Sequence, residues 1–116
     1  MPVIDSNKEF KEAVKVMSQK KLGIIVITKN KFIRGLMTDG DIRRSIENRS
    51  KEKNIKKFTK NFPLFINENM PASKALAIMN EKKITSLLVV SDKDYKKENK
   101  LLKGIIHIHF ILKNGI

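Results

Sequence analysis

Apolar positions along this chain follow two spacings that alternate. Phe10, Ala13, Val14 and Met17 stand on one face of a helix, and Ala72, Ala75, Leu76 and Met79 repeat the spacing farther on. Each helical stretch is followed by a short, nearly continuous apolar run, Leu22 to Ile27 and Ile84 to Val90. Both runs are rich in β-branched residues and read as strands buried on both faces. Thr28-Lys29-Asn30-Lys31 predicts a tight turn into a partner strand over Phe32 to Met37. Short extended segments, Pro2-Val3-Ile4 and Pro63-Leu64-Phe65-Ile66, precede the helical faces. Ser6, with Glu9 three residues later, has capping-box spacing and predicts the start of the first helix. Closing helices are predicted over Asp39 to Asn48 and His109 to Lys113.

These elements belong to a repeat. The stretch from Glu12 to Ile27 aligns with that from Lys74 to Val89, and Met17 and Met79 stand 62 residues apart, as do Lys20 and Lys82. Gly35-Leu36-Met37 matches Gly104-Ile105-Ile106 at a separation of 69, so the second copy carries seven extra residues. The insertion is the charged run Ser91 to Lys100, which predicts a solvated hairpin loop. The chain therefore reads as an α/β protein of two β-α-β-β-α repeats, 1–49 and 62–116. A polar, basic linker joins them over 50–61, with Ile55 and Phe58 as anchors. One such unit is too small to cover both faces of its own sheet. Two related by a pseudo-twofold axis could cover each other and leave a cleft suited to a ligand.

The chemistry-bearing segment is Gly35-Leu36-Met37-Thr38-Asp39-Gly40-Asp41-Ile42-Arg43-Arg44, which runs from a strand into a helix N-terminus. Unpaired backbone N–H groups there favour anions. Gly35 allows close approach of a ligand or another backbone. Thr38 offers a hydroxyl, Asp41 a carboxylate suited to ribose hydroxyls, and Arg43 and Arg44 positive charge. Thr38 and Asp41 also have capping-box spacing, so they could serve only to start the helix.

A glycine, two apolar residues, Thr, two residues and Asp, set between the last strand and last helix of such a repeat, resembles the CBS domain. Two in tandem resemble a CBS pair, or Bateman module. Thr-Asp-Gly-Asp-Ile-Arg-Arg over 38–44 and His-Ile-His over 107–109 narrow the resemblance to the C-terminal half of arabinose-5-phosphate isomerases of the KpsF/GutQ type. In that family a sugar isomerase (SIS) domain precedes the CBS pair and feeds Kdo and lipopolysaccharide synthesis. The resemblance implies that this chain is the regulatory part of such an enzyme, without catalytic residues or a required cofactor of its own. A free-standing pair is the alternative. It further implies a nucleotide or sugar-nucleotide ligand between the repeats, such as AMP, ATP or the pathway product CMP-Kdo, with Thr38 on phosphate and Asp41 on ribose. Homodimerisation through the CBS helices and contact with the SIS domain are the implied protein partnerships. In the second repeat His107 stands at the Thr position and Phe110 at the Asp position, so one asymmetric site is expected rather than two. His107 faces the cleft in this reading, and His109 lies near the start of the last helix.

Composition adds limits. The 116 residues contain no cysteine, which excludes disulfides and thiolate chemistry. No apolar segment approaches the length of a membrane span, and no leader-like segment follows Met1, which points to the cytoplasm. His107 and His109 would share a face in a strand, but no nearby carboxylate or cysteine completes a metal site. The formal net charge is +13, which raises a basic nucleic-acid-binding module as a second reading. Against it, the charge is mostly lysine, aromatics are 6%, and the abundance of Lys, Asn and Ile is what AT-rich coding favours.

Overall fold

A computed structural model describes residues 1–20, 23–49, 54–60 and 64–108. The chain divides into two compact units, Met1–Phe62 and Pro63–Ile116. In the first, β1 (Val3–Asp5), α1 (Phe10–Lys20), β2 (Ile24–Lys29), β3 (Phe32–Thr38) and α2 (Asp39–Glu47) follow in order, and a 3-10 turn covers Lys56–Lys60. In the second, β4 (Phe65–Asn67), α3 (Ala72–Lys82), β5 (Ser86–Val90) and β6 (Gly104–His107) follow. The expected closing helix over His109 to Lys113 lies outside the described residues.

Each unit holds a three-stranded sheet, β1-β2-β3 and β4-β5-β6. The first pair in each is parallel, joined by a crossover helix, and the second pair is antiparallel. The two sheets share one register. Val3 faces Val26 as Phe65 faces Leu88, and Ile24 faces Thr38 as Ser86 faces His107. The irregular bonds repeat as well. Ser6 N–H donates to the Thr28 carbonyl as Glu68 N–H does to that of Val90. Asp39 N–H donates to the Gly23 carbonyl as Ile108 N–H does to that of Thr85. The sequence repeat is thus a repeat of backbone hydrogen bonds.

The same positions form both cores. Ile4, Ala13, Ile25 and Met17 have Ile66, Ala75, Leu87 and Met79 as counterparts. Alanine at 13 and 75 is fully buried, which lets each crossover helix approach its sheet closely. Ile24 to Ile27 are all buried, as expected for a strand covered on both faces. Ile55 and Phe58 do anchor the segment after α2. They join the first core beside Met37 and Ile42, and the 3-10 turn packs on β3.

One expectation shifts, and two others gain detail. Ser6 does not cap α1: its N–H extends the β1–β2 ladder, and Asp5 Oδ1 instead accepts the N–H of Asn7 at 2.9 Å. The helix begins later, at Phe10, with the Glu9 carbonyl accepting from Ala13. The turn Asn30-Lys31 puts both residues at positive φ, 53° and 72°, the backbone of a two-residue hairpin whose twist matches its strands. The charged insertion is exposed for the most part but closes on itself. Asp94 Oδ2 accepts the Leu101 N–H at 3.2 Å, while the N–H of Asp94 donates to Ser91 Oγ at 3.1 Å.

Candidate functional site

Thr38 is both the last residue of β3 and the N-cap of α2, with extended backbone at φ −108° and ψ 165°. Two elements hold it. Its pairing with Ile24 ties it to β2, and buried Ile42 ties the first turn of α2 to the core. The Asp39 N–H donates to the Gly23 carbonyl at 3.1 Å, closing the strand end against the helix start. Gly23 sits at φ +73°, where a side chain would be strained, and a Cβ there would lie 3.5 Å from the Asp39 carboxylate.

Thr38 and Asp41 form a reciprocal capping box. Asp41 N–H donates to Thr38 Oγ1 at 3.1 Å, and Thr38 N–H donates to Asp41 Oδ2 at 2.8 Å. Arg44 Nη2 then donates to Asp41 Oδ1 at 2.7 Å. The helix-starting role therefore exists, and it does not exhaust the two side chains. With its oxygen already accepting from Asp41, the Thr38 hydroxyl has its own proton to donate. Each Asp41 oxygen has one bond and room to accept another. The box thus presets one donor and one acceptor side by side. The Gly40 N–H, in the first turn of α2 and so without an intrahelical acceptor, adds a second donor.

The charge is mixed. Asp39 and Asp41 both sit in the first turn, where the helix dipole favours negative charge. The Arg44 guanidinium offsets Asp41. It is 61% exposed while the Asp41 side chain is 15% exposed, so the pair has a largely covered end and a solvent-facing end.

The other candidates fall elsewhere. Gly35 is buried in the register of Ile33 and Met37, on the face of β3 opposite Thr38. It pairs with Ile27 beside an irregularity that leaves Arg34 unopposed, and so belongs with the packed side of the strand. Arg43 is exposed and takes no part in the Thr38–Asp41–Arg44 network. His107 ends β6 at the position equivalent to Thr38, half-buried and paired with Ser86. His109 and Phe110 lie outside the described residues. Sequence reasoning missed Gly23 and Gly40. Gly40 has a visible signal, a glycine within the first turn of a helix where none is needed to start one.

The CBS domain family profile matches residues 1–48 and 55–113. An uncharacterised protein of Rickettsia prowazekii is 32% identical over 117 residues, covering 100% of this chain and 34% of that protein. Arabinose 5-phosphate isomerase KdsD of Yersinia pestis is 30% identical over 122 residues, with the same two coverages. The chain spans about a third of the length of these curated relatives. Among solved structures, a CBS domain protein of Pyrobaculum aerophilum complexed with AMP superposes with a TM-score of 0.77 at 19% identity, covering 92% of this chain and 79% of that one. At that identity the likeness is one of fold. No helix among the described residues is long and apolar enough to cross a membrane. The match to the family profile spans nearly the whole chain in two blocks, one for each structural unit, and the chain belongs to the CBS domain family as a tandem pair.

Proposed function

We propose that this CBS pair is the cytoplasmic regulatory module of an arabinose-5-phosphate isomerase, and that it senses a nucleotide or sugar nucleotide at the Thr38–Asp41 box. The parentage is supported by the similarity to the Yersinia isomerase along the whole chain. The ligand class is supported by the AMP complex of the Pyrobaculum protein. The observation that carries the reading is the reciprocal box itself, which directs a hydroxyl donor and a carboxylate acceptor from one helix start. In this assignment Thr38 and the Gly40 N–H take a phosphate oxygen, and Asp41 accepts from ribose hydroxyls. Arg43 and Arg44 supply positive charge, while Gly35 supports the strand rather than the ligand. His107 and His109 belong to the second repeat, which has no carboxylate at the position of Phe110. One ligand per chain follows. The pair itself carries out no chemistry, and it self-associates through its helices.

Titration calorimetry of the chain with CMP-Kdo, AMP and ATP tests the reading. At least one should give saturable heat with one ligand per chain. The double variant Thr38→Ala, Asp41→Ala should abolish that heat while keeping its circular dichroism spectrum. Silence from all three ligands would overturn the assignment. An isomerase domain encoded in frame upstream of Met1 would establish the parentage directly.

A further inference from the structure

The two units repeat one another in register and core, but not in how the last strand pair is covered. Ile27, Gly35 and Met37 are all buried in the first unit. Their counterparts in the second, Val89, Gly104 and Ile106, are all half-buried. The three share one face of each sheet. Ile27 pairs with Gly35 and Ile25 with Met37, as Val89 pairs with Gly104 and Leu87 with Ile106. Among the described residues, a Cβ added at Gly104 would meet only Val89 Cβ, at 3.9 Å. The face is therefore apolar, continuous with the core of Ile66 and Leu87, and has room above its glycine.

In the first unit that face is covered by the stretch after α2. The Phe58 N–H donates to the Ile55 carbonyl at 3.0 Å, a tight turn that brings residues three apart onto one side. Both side chains enter the core that holds Met37 and Ile27. The stretch packs on β3 and then leads into β4, with Ile55 ten residues before Phe65. The separation of 69 that relates Gly35 to Gly104 carries Ile55 and Phe58 past Ile116, so the second unit has no such pair within the 116 residues.

We propose that the β5–β6 face of the second unit is a docking surface for the polypeptide that leads into β1, a tight turn bearing two large apolar residues three apart, which ties the pair to the isomerase domain. This inference rests on the proposed parentage, in which that domain precedes Met1. The repeat selects this occupant. Residues that lead into the second unit cover the first, and residues that lead into the first are their counterpart. A second copy of the chain is a poorer fit, because each carries a net charge of +13.

The chain has no cysteine, so one introduced thiol reports on one position. Gly104→Cys puts it on the face, where a Cβ makes only ordinary contact, and Lys93→Cys puts a control in the exposed insertion. Maleimide labelling is timed on the chain alone and on the chain carrying the natural residues that precede Met1, with any cysteine among them changed to serine. The extension should slow labelling at 104 by about tenfold, since the thiol then reacts only when its cover opens, and should leave 93 unchanged. Ile106→Cys gives a second reading of the same face, and circular dichroism checks the fold of each variant. Equal rates at 104 and 106 with and without the extension would overturn the proposal, and an isomerase domain encoded upstream would leave the parentage standing. Protection that needs the residues after Ile116, or that rises with concentration of the chain alone, would overturn it in favour of a downstream segment or a second copy. A reading frame without an isomerase domain upstream would overturn the parentage and the proposal together.

Discussion

Thr38 and Asp41 form a structural pair that the proposed function also makes a recognition pair. Each satisfies the other's backbone N–H, and the capping spends only one acceptor function of each side chain. Truncating Thr38 should therefore cost both roles at once. Thr38→Ala should lower unfolding free energy by about 1 kcal/mol, as loss of an N-cap oxygen does, while Thr38→Ser should restore most of it. Urea denaturation measures both. The residue scale is also where sequence reasoning was weakest. Ser6-x-x-Glu9 and Thr38-x-x-Asp41 have the same capping spacing, yet only the second is a box. The Ser6 N–H is committed to the β ladder with Thr28, and Asp5 makes the local turn instead. A pairing partner more than twenty residues away decides between them, and spacing cannot reveal it. The two arginines differ for a simpler reason. Arg44 lies three residues, about one helical turn, from Asp41 and reaches it, whereas exposed Arg43 is only two residues on, a spacing that does not share a helix face.

At the scale of elements, the repeat was legible because the same apolar positions recur at a constant separation. That separation reappears as a shared strand register and shared core positions. The extra length of the second copy was legible as a charged run between two apolar strands. Less legible was how far the segment after α2 belongs to the first unit. Its polar composition reads as a linker, but Ile55 is fully buried and Phe58 nearly so, both in the core that holds Met37 and Ile42. This core underlies α2, and therefore the Thr38–Asp41 box. Ile55→Ala should lower stability by about 2–5 kcal/mol through lost burial and the cavity left behind. Thermal unfolding would show it, and a loss below about 1 kcal/mol would mean that the segment only rests against the unit.

For the whole molecule, the charge of +13 sets a competing expectation. Scattered lysines attract any polyanion, so generic duplex DNA should bind weakly and lose its affinity steeply between about 50 and 200 mM salt. Retention of tight binding at the higher salt would favour a nucleic-acid role over nucleotide sensing. The fold alone does not choose between these roles, since function lies in the site that a fold carries. In the proposed function, the first unit senses a nucleotide through the start of α2. Amide chemical-shift mapping during titration with AMP and CMP-Kdo tests it most directly. Saturable shifts are expected at Thr38, Gly40 and Asp41 with at least one of the two. Unmoved resonances at these three positions with both ligands, or shifts confined to His107 and Ile108 of the second unit, would contradict it.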